Sequence, residues 1–233
     1  MTAERVAGNA GAAPVITVDG PAGSGKGTIS ALVARRLGWH LLDSGALYRV
    51  VAVVALERGI AFDDAPALAA AVAGLAIRFD DGRVWVGGND LSGPIRSEAA
   101  GEGASRVAAL QAVRDAVLDL QRAQRRPPGL VADGRDMGTE VFPDAPLKVF
   151  LDASAEVRAE RRHNQLKNKG LSVSLADLLA NLRQRDERDR NRAVAPLRPA
   201  PDAILIDSTA MSIDEVLEQV LEAAVARRLA TGI

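Results

Sequence analysis

No cysteine occurs anywhere in the 233 residues, which excludes disulfides, thiolate nucleophiles and thiolate metal sites together. Histidine is nearly as scarce: His40 and His163 stand far apart, leaving no basis for a histidine metal cluster. Aromatic residues make up only 3% of the chain, too few for the stacking platforms on which proteins hold single-stranded nucleic acid. No apolar run reaches the roughly 18 residues that a membrane span requires. The opening stretch, MTAERVAGNAGAAP, lacks the basic flank and sustained apolar segment of a signal or transit peptide. A cytoplasmic chain without membrane contact is expected, with residues 1–14 as a flexible tail.

What remains is ample for a core. Hydrophobic residues make up 48% of the sequence, enough for one α/β domain carrying an insertion or two. The chain is organised around VITVDGPAGSGKGT, residues 15–28. A β-favouring run is followed by a turn bearing Gly20, Gly23, Gly25 and Gly27, and then by Ile29, Leu32, Val33 and Leu37 at helical spacing. Strand, glycine loop and helix in that order form the context of a phosphate-binding loop. Glycines let backbone N–H groups converge on an anion, Lys26 adds a point charge, and the helix start contributes its positive dipole end. ATP or GTP is the expected ligand, held by Gly20, Pro21, Ala22, Gly23, Ser24, Gly25, Lys26, Gly27 and Thr28. The usual pattern has a metal-binding hydroxyl directly after the lysine, whereas here Gly27 intervenes and the hydroxyl belongs to Thr28.

Formal net charge is only −1, but it is unevenly spread. Residues 158–198 hold 11 Lys and Arg against five Asp and Glu. With no aromatic residue in that block, a phosphate-rich small molecule is a better partner than nucleic acid.

Along the chain, WHLLD (39–43) reads as a strand, and Ser44 stands where a helix cap would stand before a segment running to Gly59. Arg49, one turn into that helix, is a candidate to grip a second phosphate. Residues 66–75 are helical, and IRFDDGRVWVGGNDLSG alternates around DDG and GGN turns as a β-hairpin or small meander. Residues 97–124 read as one helix striped by Val107, Leu110, Val113, Val117 and Leu120. The strand GLVAD then delivers Asp133, Arg135 and Asp136 past its carboxyl end, where ligands collect in doubly wound sheets. Asp133 suits hydrated magnesium, which keeps several of its waters. LKVFLD (147–152) and AILID (203–207) complete a five-stranded parallel sheet. Between them, helices over 157–166 and 175–192, joined by a KNKG turn, make an arginine-dense lid. A last helix over 213–229 covers the sheet.

GPAGSGKGT, LLDSGALYR, ADGRDMGTEVFPDAP and RDERDRNRAVAPL together resemble, in the same order, the blocks of the bacterial cytidylate kinases among the nucleoside monophosphate kinases. The likeness runs from Val15 to about Val225. It implies a P-loop NTPase-type α/β fold with helices on both faces of the sheet. It divides the chain into a core (15–61, 101–156 and 199–233), an inserted NMP-binding module with its hairpin (62–100) and a helical lid (157–198). It implies direct in-line phosphoryl transfer from MgATP to CMP or dCMP by a monomer. By that resemblance Ser44, Ser105, Arg114, Asp136, Asp189 and Arg192 surround the cytidine monophosphate, with Arg49 and Arg135 on its phosphate. Mg²⁺ is the implied cofactor, held by Asp133 and Thr28 through water. Because the transition state is loose, catalysis is alignment and charge cancellation. The candidates are Lys26, Arg158, Arg162, Arg185 and Arg188.

A kinase for UMP, AMP or shikimate shares the loop and lid. A nucleotide-dependent switch is the alternative of another class, but the nearest match to a guanine motif, Asn168-Lys169-Gly170, lacks the aspartate.

Overall fold

Val15, Ile16, Thr17 and Val18 have no exposed surface, a burial on both faces that a strand reaches only in the middle of a helix-covered parallel sheet. In the computed structural model, which describes residues 12–80, 83–168 and 170–230, the first strand β1 (Val15–Asp19) holds that position. Most of the expected tail, Asp81 and Gly82 of the DDG turn, Lys169 of the KNKG turn and residues 231–233 lie outside the described residues.

The chain continues through α1 (Lys26–Leu37), β2 (His40–Asp43), α2 (Ser44–Arg58) and α3 (Ala65–Ala73). Three short strands, β3 (Ile77–Asp80), β4 (Arg83–Val86) and β5 (Asn89–Asp90), form an antiparallel meander. Then follow α4 (Glu98–Val107), α5 (Gln111–Arg122), β6 (Leu130–Gly134), β7 (Leu147–Asp152), α6 (Ala155–Lys167), α7 (Leu175–Asn191), β8 (Ile204–Asp207) and α8 (Ile213–Ala226).

The five-stranded sheet has the order β2-β6-β1-β7-β8, and every pairing is parallel. Successive side chains point to opposite faces, so the continuous apolar strands feed two cores. Ile16, Val18, Val131, Leu147 and Val149 pack with Ile29 and Val33 of α1 and Val216 and Val220 of α8. Val15, Leu42, Leu130 and Ala132 pack on the other face with Leu47 of α2, Met137 and Phe142. The register sets Asp133 beside both Val18 and Asp43, which brings the carboxyl ends of β1, β2 and β6 to one level.

Two local expectations are corrected. Residues 97–124 are two helices, not one: Leu110 is extended (φ −91°, ψ 119°) and starts α5 afresh. The apolar stripe hides the break because Val107, Val113 and Val117 enter the same cluster on either side of it. The cap of α2 is Asp43, whose carboxylate accepts from the Ala46 N–H at 3.0 Å. Ser44 is the first helical residue, and its buried hydroxyl is left for other work.

Helix α2 is buried from Ala46 to Ala55 except at Arg49 because it lies between the meander and α4 on one side and α3 and α5 on the other. Close approach to α4 depends on Gly103, where a Cβ would meet Phe62 Cζ at 2.7 Å and Ala52 Cβ at 2.8 Å. Alanine ordinarily stabilises a helix interior by about 0.5–1 kcal/mol relative to glycine. Here Gly103→Ala should instead destabilise by about 1–3 kcal/mol through overpacking, measured as a lowered urea midpoint at unchanged slope; a raised midpoint would show that the helices can separate freely.

Candidate active site

The glycine loop leaves β1 at Gly20, where a Cβ would stand 2.1 Å from the Leu151 carbonyl oxygen of β7, so no side chain fits. Gly23 (φ +79°) and Gly25 (φ +96°) take left-handed conformations that other residues rarely adopt. The first turn of α1 carries no acidic residue, and its cap, Gly25, has no side chain. The positive end of the helix therefore faces the loop without a local counter-charge.

Lys26 is 8% exposed. Its ammonium donates to the Pro21 carbonyl at 3.4 Å and stands 3.8 Å from Asp133 Oδ1. Burial, helped by the Arg135 charge, lowers Lys26 to about 8. Burial likewise raises Asp133 to about 6. Asp133 Oδ2 would lie 3.1 Å from a Cβ at position 27, which explains why glycine follows the lysine: a bulkier residue would press on the carboxylate.

A crevice of about 250 Å³ opens where the loop meets α2, α4, the segment after β6 and α7. Of the loop residues named from sequence, Ala22, Gly23, Lys26 and Gly27 line it, while Thr28 is exposed and does not. Ser44, Arg49, Ser105, Asp133, Arg135, Asp136, Arg185, Asp189 and Arg192 also line it. Residues more than 80 positions apart thus meet in one small volume.

Their charges interlock. Arg135 Nε donates to Asp189 Oδ2 at 3.2 Å, and the Ser105 hydroxyl donates to Asp189 Oδ1 at 3.2 Å. Burial alone would raise the Asp189 carboxyl, but Arg135, Arg185 and Arg192 hold it below the usual carboxylate range. Arg114 forms a buried ion pair with Asp136, and Arg192 Nη2 stands 3.9 Å from the other oxygen of the same carboxylate.

Two cations have no such partner. Arg49 donates to the Ile95 carbonyl at 2.8 Å and toward Ser97 O at 3.4 Å, in space that Gly101 leaves clear. Among the described residues it has no carboxylate within ion-pair distance. Arg185 Nε is buried without any hydrogen-bond partner, and burial, then Arg135, lowers that guanidinium to about 10. A buried unpartnered donor beside Arg135 and Arg49 is poised for an anion.

The remaining lid arginines point elsewhere. Arg158 is 2% exposed and forms a two-pronged pair with Asp186 at 2.5 and 3.1 Å. Arg162 pairs with Glu98 at the start of α4, and Arg188 is half-buried outside the crevice lining.

Sequence reasoning missed Asp43 and Tyr48 in the lining. Tyr48 follows Ser44 by four residues, one helical turn along the same face, a signal that was present in LLDSGALYR. Burial pushes its phenol up to about 12. A wider cleft, about 920 Å³, separates α6 and α7 from the sheet edge at β8. Of the residues named from sequence it holds only Arg158, whereas the smaller crevice holds most of them.

The sequence model of the cytidylate kinase family matches residues 16–226. The chain is 56% identical over 217 residues to a cytidylate kinase of Bordetella bronchiseptica, covering 93% of this chain and 97% of that protein. It is 58% identical over 208 residues to one of Methylococcus capsulatus, covering 88% and 94%. It is 57% identical over 217 residues to one of Pseudomonas aeruginosa, covering 91% and 95%. A match across nearly the whole of each protein, joined to a glycine loop facing an arginine-lined crevice, means that this chain belongs to the cytidylate kinase family.

Proposed function

We propose that the protein transfers the γ-phosphoryl group of ATP to CMP or dCMP, yielding ADP and CDP or dCDP. The observation that carries the reading is the pair of cations left without carboxylates, Arg49 and Arg185, in the same crevice lining as Lys26 and the glycine loop. Two phosphate groups of opposite substrates need two separate cationic grips. Lys26 and the loop amides suit the donor, while Arg49, Arg135 and Arg185 suit the acceptor.

Base and sugar recognition follows from hydrogen-bond types. Cytosine offers an exocyclic amine donor and an acceptor at N3, to which a carboxylate and a guanidinium respectively are complementary. Asp136 and Arg114 supply those groups as a preformed pair, held by Arg192 from the lid side. Asp189, kept ionised by its arginines, is suited to accept from ribose hydroxyls. Ser44 and Ser105 add hydroxyls at the wall.

In this reading, residues 62–100 form a module that completes the acceptor side, and residues 157–198 act as a lid. Arg185, Asp189 and Arg192 line the crevice, and a lid over them would exclude the water that would otherwise take the phosphoryl group. A loose transition state asks the protein for alignment and cancellation of charge on the equatorial oxygens. Lys26 and Arg185 line the crevice and suit that purpose; Arg158, Arg162 and Arg188 are not in its lining. The donor set also fits magnesium: a single buried carboxylate, Asp133, beside the loop matches an ion that keeps most of its waters, with Thr28 further off. Bound there, the ion would offset negative charge on the phosphate oxygens. One chain supplies both grips, so the proposed working unit is a monomer acting on two small molecules.

A coupled ADP-release assay across CMP, dCMP, UMP, AMP and shikimate should show CMP and dCMP far ahead, and equal rates for UMP and CMP would overturn the base assignment. Lys26→Ala should lower kcat by at least about 10²–10³-fold with an unchanged far-UV spectrum; near-normal turnover would remove the donor assignment.

The pH dependence has a definite sign. Lys26 must carry its proton to hold the donor, so kcat/KM for ATP should fall as pH rises through about 8. Asp133 must be ionised, so it should also fall as pH drops through about 6. Both limbs belong to the interacting pair. The bound phosphates stabilise the ammonium, which moves the alkaline limb upward in kcat relative to kcat/KM. Persistence of the limb near pH 8 in Lys26→Arg would assign it to another group.

A further inference from the structure

Arg158 and Arg161 are the two lid residues whose guanidiniums touch the glycine loop, and neither does so from the crevice side. Arg158 Nη1 donates to the Ala22 carbonyl at 3.0 Å, and its Nε to the Ala153 carbonyl at 2.8 Å. Asp186 of α7 takes both terminal nitrogens, which fixes the plane of the group. Arg161 Nη1 donates to the Ser24 carbonyl at 3.1 Å, and its Nη2 to Ser208 O at 2.7 Å. The Ser208 hydroxyl reaches Ser24 O as well, at 3.3 Å.

Within a trans peptide the C=O and the following N–H point in opposite directions, and the described chain has a cis bond only at Pro127-Pro128. Drawing Ala22 O and Ser24 O toward α6 therefore aims the Gly23 and Gly25 N–H groups away from α6. Among the described residues neither of those N–H groups donates a hydrogen bond within the chain. They are alternate donors of a loop whose glycines at 23 and 25 both have positive φ, the geometry of an anion-binding nest. A carbonyl that accepts a charged donor also polarises its own peptide, which strengthens the N–H on the far side.

We infer that Arg158, braced by Asp186, and Arg161 are positioning residues that grip the back of the loop and set its amides toward the donor phosphates without touching them. The inference rests on the reading of the loop as the donor cradle. It differs in sign from the alternative in which Arg158 itself binds phosphate: there, Asp186 competes for the guanidinium, and removing its charge would help the ligand. Here, removing it lets Arg158 drift and disorders the amides.

The test is equilibrium binding of ADP and, separately, of CMP to wild type, Asp186→Asn and Arg161→Leu. The ¹⁵N–¹H resonances of Gly23 and Gly25 are recorded without nucleotide. Both variants should weaken ADP by about tenfold, the worth of one hydrogen bond, move CMP by less than twofold, and shift the two glycine resonances. Should Asp186→Asn fail to fold, the double variant Arg158→Met with Asp186→Leu replaces a buried ion pair by apolar groups that such sites accept, and it should show the same ADP loss. Unchanged or tighter ADP binding in Asp186→Asn or its substitute, or equal losses for ADP and CMP, would overturn the inference. Wild type that did not bind ADP would instead remove the donor-cradle reading beneath it.

Discussion

A site for two polyanions must gather positive charge, and that charge must be bearable when no anion is present. Six cations line or back a crevice of about 250 Å³ in this chain, and in low-dielectric surroundings their mutual repulsion would be severe. The structure meets the constraint with three carboxylates. Asp133 faces Lys26, Asp189 holds Arg135, and Asp136 is shared between Arg114 and Arg192. Six cations against three carboxylates leave the arrangement net positive, with Arg49 and Arg185 outside the ion pairs. Of those two, Arg185 carries a buried nitrogen with no partner, a donor to which an incoming anion would supply one.

Of those carboxylates the sheet itself carries Asp133, and it sets other aspartates at the same edge. β1, β2, β7 and β8 each end in an aspartate, and β6 carries one at its next-to-last position. Their tasks diverge with the turn that follows. Asp43 caps α2, Asp152 accepts from Ala153 N at 2.8 Å, and Asp207 accepts from Thr209 N at 2.9 Å. Asp19 accepts from the Met137 and Gly138 N–H groups, both at 2.8 Å. Burial raises its carboxyl to about 7, although both hydrogen bonds oppose the shift. That bond set ties the start of the glycine loop to the segment carrying Arg135 and Asp136, so two walls of the crevice share one anchor. Among the described residues, Asp133 alone of these five has no backbone partner, and it is the one that meets Lys26.

What could be read from sequence was whatever the chain states locally. The glycine loop, its strand and its helix are contiguous, and the DGRDMG segment announces its place by following an apolar strand. The break between α4 and α5 was hidden because periodicity records which residues face the core and not whether the helix axis turns. Val107 and Val113 face the same cluster from either side of the bend. The cap expected of Ser44 falls to Asp43 for a similar reason, since either residue type can cap a helix and only the backbone at Asp43 (φ −88°, ψ 93°) decides.

The lid arginines show a sharper limit. Composition identified a basic block, and charge alone assigned its members to phosphate. An arginine, however, presents five donors in a fixed fork, and what it does depends on which acceptors the fold brings within reach. Arg185 and Arg158 lie on neighbouring helices of the same lid, yet one has a buried nitrogen with no partner while the other is held on two sides by Asp186 and the Ala22 carbonyl. Asp186 sits directly beside Arg185 in sequence. On α7, adjacent side chains diverge by about 100°, so the carboxylate turns toward α6 while the guanidinium turns toward the crevice. One dipeptide thereby splits its charges between the frame of the lid and the interior of the site, and the unpaired positive charge arises from that divergence.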